Sequence, residues 1–358
     1  MSRPAVNKKM PYVRLGNSGL KVSKLILGAM SYGSKQWQEW VISDQEEVNQ
    51  HIKFAYNAGI QTFDTSDFYS NGLSEIMLGK AFKELGLPRE ELVIMTKACF
   101  TSRLIIHAPI AKDFGTNIVY SRKDPEEFGI INQQGLNRKH IFDAVKGALE
   151  RLQTDHIDVL FCHRFDYDTP IEETMQALHD VVKAGHVRYL GMSSCHAYQF
   201  HQMQNYAITH NLTPFIVMQN HYNLAYREEE REMFPTLKLF GVGSTPWSPL
   251  ARGYLTRPLK DQSLRSNTDF VFSVYGNTVG GGEINKRVEE LAQKKGVSMA
   301  QIAVAWTLAK PGVSAPIIGS TNVKNLEDII GGVHVTLTEE EVKYLEEPYQ
   351  PCAVVGHN

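Results

Sequence analysis

Ile157-Asp158-Val159-Leu160-Phe161-Cys162-His163 is an almost unbroken apolar run that stops at a histidine. A run with so little polar alternation suits a strand covered on both faces, as in a parallel sheet flanked by helices. Seven further runs share this character: Leu25–Gly28, Gln61–Phe63, Leu92–Thr96, Val187–Met192, Phe215–Met218, Val242–Thr245 and Pro316–Ile318. Segments of helical period separate them, which is the pattern of repeated βαβ units. Eight such strands predict an α/β fold, a (β/α)8 TIM barrel.

Punctuation along the chain agrees with that reading. Ser43 with Glu46, Ser298 with Gln301 and Thr338 with Glu341 have capping-box spacing. Thr169-Pro170-Ile171-Glu172-Glu173 predicts an N-cap, a first-turn proline and acidic residues at the helix N-terminus. Ile171, Met175, Leu178 and Val182 then recur at helical spacing. Gly185 and Gly296 stand where C-caps are expected. Ahead of the first barrel strand, Tyr12–Leu15 and Leu20–Ser23 flank Gly16-Asn17-Ser18-Gly19 and predict an N-terminal β-hairpin. Phe100–Arg138 and Arg252–Glu283 are expected to be long loops at the C-terminal face. Gly280-Gly281-Gly282, in the second of these, is expected to be a flexible loop and not a phosphate cradle. No linker divides the chain, so residues 1–358 are expected to form one domain with its core at about 13–345.

Composition narrows the function. The 358 residues carry 37 Lys and Arg against 39 Asp and Glu, without a basic cluster, which argues against a nucleic-acid or anionic membrane partner. Cys99, Cys162, Cys195 and Cys352 lie far apart with no CxxC pair, so reduced thiols and no metal site are expected. The N-terminus has no apolar segment of signal-peptide type, and no run reaches the roughly 20 apolar residues of a membrane span. The expected location is the cytoplasm.

Barrel enzymes carry their chemistry at the C-terminal ends of strands. The second predicted strand leads into Asp64, with Tyr69 in the following loop, the third leads into Lys97 and the fourth into His163. Together these residues suit the reduction of a carbonyl, which requires a proton on oxygen and a hydride on carbon. A phenol with its ordinary pKa near 10 is a weak acid at neutral pH, and a neighbouring ammonium is expected to lower that value. Asp64 would hold Lys97 charged, and His163 would polarise the substrate oxygen. None of the four can supply a hydride, so a cofactor must.

The chain resembles the aldo-keto reductase superfamily, in particular its fungal aryl-alcohol dehydrogenase-like branch. The matching stretches include Gly59–Tyr69, Met95–Lys97, Ile157–His163, Gly191–Ser194, Met218–Asn223, Pro246–Gly253 and Ile318–Thr321. The resemblance implies NADPH-dependent reduction of aldehydes or ketones, reversible as alcohol oxidation, with NADH as a possible substitute. It implies Asp64, Tyr69, Lys97 and His163 as the catalytic set, with Tyr69 as proton donor. For the nicotinamide amide it implies Ser193, Ser194 and Gln219, with Trp247 stacking on the ring. For the ribose turn it implies Gly28, Ala29 and Met30. Ser248, Leu250, Arg252 and Gly253 resemble the pyrophosphate clamp. Gly319, Ser320, Thr321, Lys324, Asn325 and Asp328 would receive the adenosine end, at a helix N-terminus suited to a 2′-phosphate. No Gly-rich Rossmann fingerprint is present. The expected substrate is a small carbonyl compound with an aromatic or apolar portion, bordered by Tyr32, Phe68 and Tyr254.

Two other readings fit the same residues. Lys97 could form a Schiff base in a lyase, which requires the amine to be neutral. The chain could also be a cofactor-binding auxiliary subunit with weak catalysis or none.

Overall fold

The computed structural model describes residues 10–99, 130–261, 263–269, 272–276 and 278–357. The first expected loop falls largely outside them, at residues 100–129.

An antiparallel hairpin, β1 (Tyr12–Arg14) and β2 (Lys21–Ser23), opens the fold as expected. Eight further strands follow: β3 (Ile26–Gly28), β4 (Thr62–Asp64), β5 (Val93–Ala98), β6 (Ile157–Cys162), β7 (Val187–Ser193), β8 (Phe215–Gln219), β9 (Gly243–Ser244) and β10 (Ile317–Ile318). They form one sheet in the order β10-β3-β4-β5-β6-β7-β8-β9. Each coincides with one of the eight expected runs to within two residues at either end. Helices alternate with them: α1 (Gln45–Asn57), α2 (Leu73–Glu84), α3 (Arg138–Leu152), α4 (Ile171–Lys183), α5 (Ala197–Thr209) and α6 (Met233–Phe240). The remainder are α7 (Leu264–Thr268), α8 (Phe272–Gly276), α9 (Gly281–Lys295), α10 (Met299–Ala309), α11 (Val323–Gly331) and α12 (Glu339–Glu346). The fold class is (β/α)8.

The chain divides into two compact units. Of the described residues, one comprises 28–53, 62–99 and 130–217 together with His357. Its strands β4, β5, β6 and β7 pair in parallel, with Asp64 opposite Met95, Lys97 opposite Phe161 and Phe161 opposite Gly191. Gly191 is required by packing: a Cβ there would lie 2.5 Å from the Phe161 ring. Phe63, Ile94, Met95, Val159, Phe161, Leu190 and Met192 are buried along these strands, and each large apolar side chain so buried contributes about 1.5–3 kcal/mol. The buried face of α4 consists of Thr174, Met175, Ala177, Leu178 and Val181. It is therefore rotated from the expected stripe, and Ile171 and Val182 are only half-buried at its edges.

The other unit comprises residues 10–27, 54–61 and 218–356. It holds the hairpin, the parallel pair β10 with β3, and helices α6 to α12. Arg252–Glu283 is not simply a loop: α7, α8 and the start of α9 lie in it. Gly281 and Gly282 open α9, which corrects the flexible-loop expectation. Gly280 turns the chain into that helix at φ +82°, and a Cβ on it would meet the Pro348 carbonyl oxygen at 2.0 Å. The C-terminal segment is docked, with Tyr349 Oη donating to Glu228 at 2.6 Å and Val355 N–H donating to Tyr226 Oη at 3.1 Å.

Two caps differ from expectation by one residue. Asp44, not Ser43, accepts the Glu47 N–H of α1 at 2.9 Å. Pro170 takes the N-cap position of α4, and the Thr169 hydroxyl donates instead to Asp166 at 2.7 Å. The Thr338–Glu341 capping box forms in full. Ser298 caps Gln301 N–H at 3.1 Å, but the Gln301 amide reaches Asp328 and not back to its own cap.

Candidate active site

In the unit built on β4 to β7, the ends of three neighbouring strands converge. Asp64 closes β4, Lys97 lies one residue before the end of β5, and His163 follows β6 directly. Parallel pairing brings these C-terminal ends level, because the strands share direction and register. Lys97 Nζ donates to Asp64 Oδ2 at 2.7 Å, to the Thr65 carbonyl at 2.6 Å and to Tyr69 Oη at 3.3 Å. The Lys97 and Asp64 side chains are 0% and 2% exposed. Tyr69 and His163 meet edge to face, with ring centroids 6.0 Å apart. The four expected catalytic residues thus form one cluster.

Ser70 and Asn71, directly after Tyr69, hold φ of +47° and +54°. Two successive non-glycine residues in the left-handed region are costly, of order 1–3 kcal/mol each, and persist only where the surroundings enforce them. Here the Ser70 hydroxyl accepts the Ser34 N–H at 3.1 Å, which ties the Tyr69 turn to the segment after β3.

Burial dominates the electrostatics. It works against the Lys97 ammonium, but Asp64 and Tyr69 outweigh it and hold the pKa above the usual lysine value. The amine is therefore charged. Burial also raises the Tyr69 phenol above its ordinary value, and Lys97 only partly offsets that rise. The expected net lowering of Tyr69 is thus corrected: desolvation of the phenolate exceeds the attraction of the ammonium. His163 is held well below the usual imidazole range by burial, with Arg164 and Lys97 adding repulsion, so its ring is neutral at pH 7.

An apolar wall flanks Tyr69. Trp37, Trp40, Val41 and Phe68 form a buried cluster, and Met30 and Tyr69 pack against it. The Trp37 ring lies 5.7 Å from Phe68 and 6.3 Å from Tyr69. Of the expected bordering aromatics, Phe68 is here, whereas Tyr32 is wholly buried with its ring edge-on to His51 and belongs to the core. Trp37 and Trp40 escaped the sequence reading. They lie in a turn segment outside any regular element, and only the folded turn joins them to Phe68. In the same unit Gly28 closes β3 and Ala29 and Met30 lie in the turn that follows, with the Ala29 carbonyl accepting from Ser74 at 2.7 Å. Ser193 and Ser194 are buried at the end of β7, Ser194 with φ +43°.

In the unit containing residues 218–356, Gln219 is buried at the end of β8. The Trp247 ring stacks on His221 at 4.0 Å and 8°, and His221 stacks on Tyr226 at 4.1 Å. His221 and Tyr275, joined by a 2.7 Å hydrogen bond, also escaped the sequence reading because the chain separates them widely. Ser248, Ala251 and Arg252 hold φ of +55°, +48° and +55°, and Leu250 and Gly253 lie in the same turn. Arg252 donates to both carboxylate oxygens of Asp269, at 2.9 and 2.7 Å. Gly319, Ser320 and Thr321 precede α11, whose N-cap Asn322 accepts the Asn325 N–H at 2.8 Å. Lys324 and Asn325 are exposed on its first turn. Asp328 accepts from the Gln301 amide at 3.0 Å, so its observed contact is structural.

Among the described residues there is no cluster of three or more His, Cys, Asp or Glu arranged to hold a metal. None of their helices is long and apolar enough to cross a membrane. All four cysteines are free thiols.

A (β/α)8 fold with a buried carboxylate–ammonium–phenol cluster and a neutral histidine at its strand ends defines a class of oxidoreductase. The chain belongs to the Aldo/keto reductase family, which residues 24–350 match. It is 49% identical over 348 residues to a Schizosaccharomyces pombe protein assigned by name to the aryl-alcohol dehydrogenases, covering 96% of this chain and 97% of the relative. It is 47% identical over 349 residues to versiconal hemiacetal acetate reductase of Aspergillus parasiticus, covering 96% and 98%. A Saccharomyces cerevisiae protein of aryl-alcohol dehydrogenase name is 45% identical over 342 residues, covering 95% and 97%. The protein is an oxidoreductase of the fungal aryl-alcohol dehydrogenase-like branch, a branch whose family uses NAD(P)H and small carbonyl substrates.

Proposed function

We propose that the protein reduces aldehydes or ketones carrying an aromatic or apolar portion, with NADPH as the preferred cofactor and Tyr69 as the proton donor. The observation that carries this reading is the Lys97 ammonium, 2.7 Å from Asp64 and 3.3 Å from Tyr69 Oη in a buried site. Tyr69 holds its proton at rest, because burial raises its pKa. When the proton passes to the substrate oxygen, the phenolate left behind faces a fixed ammonium in a low-dielectric setting. That arrangement is worth far more there than in water. Asp64 keeps Lys97 charged and aimed, and His163 orients the carbonyl oxygen through a ring N–H. The apolar wall of Trp37, Trp40 and Phe68 favours an aromatic substrate portion.

The residues present fit a nicotinamide dinucleotide. The acid–base cluster contains no hydride source, and the bound cofactor supplies one. In one unit the reading assigns it Gly28, Ala29, Met30, Ser193 and Ser194. In the other it assigns Gln219, the stacked Trp247, and the left-handed turn of Ser248, Leu250, Arg252 and Gly253. Gly319, Ser320, Thr321, Lys324, Asn325 and Asp328 are assigned to its adenosine end, with Lys324 as the cation for a 2′-phosphate. Arg252 and Asp328 would contribute while also holding Asp269 and Gln301. A charged Lys97 counts against the Schiff-base lyase, since an ammonium has no lone pair to attack a carbonyl.

The test is cofactor consumption with a nitrobenzaldehyde, using NADPH and NADH in parallel. Turnover should favour NADPH, and Tyr69→Phe should lower kcat by about 10²–10⁴-fold, the usual yield of a positioned general acid, while retaining cofactor binding. Unchanged turnover in Tyr69→Phe would remove Tyr69 as the acid, and equal turnover with NADH would remove the cofactor preference.

A further inference from the structure

The geometry points to Asp67 as a positioning residue that acts through Ser66 to select which ring nitrogen of His163 carries the hydrogen. This deepens the reductase reading and rests on the role given there to His163.

Ser66 Oγ lies 3.2 Å from Asp67 Oδ1 and 3.2 Å from His163 Nδ1, and it accepts the Phe68 N–H at 3.1 Å. All three side chains are buried. A hydroxyl has one hydrogen and two lone pairs. The Phe68 N–H occupies one lone pair, which leaves one hydrogen and one lone pair for Asp67 and His163. Asp67 Oδ2 has no hydrogen-bond partner among the described residues, so a carboxylic hydrogen is satisfied only on Oδ1, and two arrangements then satisfy both neighbours. With Asp67 ionised, Ser66 donates to the carboxylate, accepts from Nδ1–H, and the His163 hydrogen is on Nδ1. With Asp67 protonated, its O–H donates to Ser66, Ser66 donates to Nδ1, and the hydrogen is on Nε2. Nδ1 is engaged by Ser66 in either case, so polarising a substrate oxygen falls to Nε2. Only the second arrangement equips Nε2 with a proton to donate.

The surroundings of Asp67 favour that arrangement. Glu75 on α2 opposes a second negative charge beside it. Arg151 on α3 compensates only in part, its Nε bound to Glu75 Oε2 at 2.6 Å, while Thr96 Oγ1 donates to Glu75 Oε1 at 2.6 Å. Asp67 Oδ2 is buried without a hydrogen-bond partner among the described residues, a setting that disfavours a carboxylate. The Cys99 thiol, at the end of β5, feels the same charge and is itself pushed up to about 12, chiefly by burial, so it carries none. Burial, reinforced by Glu75 and opposed by Arg151, Ser66 and the Phe68 N–H, pushes Asp67 up to about 8. Around His163, Arg164 and Lys97 disfavour a second ring proton, so the choice lies between two neutral forms.

The full-length protein labelled with ¹⁵N-histidine reads this directly from two-bond ¹H–¹⁵N spectra, with His163→Gln identifying the signals. We expect the Nε2–H form at pH 6.5 and the Nδ1–H form at pH 9. The reduction rate should fall about tenfold between pH 7 and pH 9, as a single ionisation centred near 8 requires. Asp67→Asn, whose amide donates to Ser66 at any pH, should keep the Nε2–H form throughout and abolish that fall. Ser66→Ala should also lose the pH-linked change of tautomer, and it serves if the Asn variant does not fold. A wild-type tautomer that stays the same from pH 6.5 to 9, or a fall in rate that persists in Asp67→Asn, would overturn the proposal. Absence of Tyr69-dependent reduction at every pH would defeat the reductase reading instead, and the spectra would still decide the relay.

Discussion

The Lys97 ammonium sits 2.7 Å from Asp64 Oδ2, and neither side chain is more than 2% exposed. A buried pair of this kind is strongly destabilised when one partner is lost, because the other charge is left uncompensated. Lys97→Met should therefore cost about 3–5 kcal/mol of stability and abolish reduction. The double variant Asp64→Leu with Lys97→Met should recover much of that stability but none of the activity. Urea unfolding midpoints of the two single variants and the double variant check this. Additive losses in the double variant would show that the two charges do not compensate one another.

Asp67 provides a pH signature in stability as well as in rate. Its pKa rises from 3.8 to about 8 in the fold, by burial and then by Glu75. A raised folded value means that the proton is held more tightly in the native state. The associated stabilisation is complete below about pH 4 and is lost as pH rises through about 8. Asp67→Asn cannot ionise and escapes that loss, so its stability relative to wild type should climb between pH 4 and 8 and level off above. Thermal unfolding across that range measures it. A difference that stays flat would mean that Asp67 has the same pKa folded and unfolded.

Trp247 should report cofactor binding. Its ring is held by His221 at 4.0 Å and 8°, so it is oriented before any ligand arrives. Adding NADPH should quench tryptophan emission, and Trp247→Phe should lose most of the quench. Retention of the full response would assign the signal to another of the four tryptophans, Trp37, Trp40 or Trp306, and would detach Trp247 from the nicotinamide. His221→Ala should weaken cofactor binding by several-fold through loss of that orientation, measured by the same titration with absorbance detection.

Much of the fold was legible because it rests on local pattern. Short runs of three to six residues, such as the largely apolar Ile157–Cys162, read as buried strands, and all eight of them became strands. The Thr338–Glu341 box formed as read, since both of its partners lie within one helical turn. Errors of one residue at Ser43 and Thr169 arose where two adjacent residues can both cap, and tertiary contacts chose between them. Thr169 was drawn to Asp166.

Sequence alone determined the strand order in the chain and the placing of Asp64, Lys97 and His163 at strand ends, because strand direction and period are properties of contiguous residues. Tertiary structure decided everything that depends on charges brought together from afar. Tyr69 became harder to ionise, not easier, because burial outweighed Lys97. Asp67 came to share a buried site with Glu75 and Arg151, the latter more than 80 positions away along the chain. Trp37 and Trp40 joined Phe68 as one wall. Desolvation and Coulomb interaction depend on distance in space and on exclusion of water, and neither quantity exists until the chain has folded.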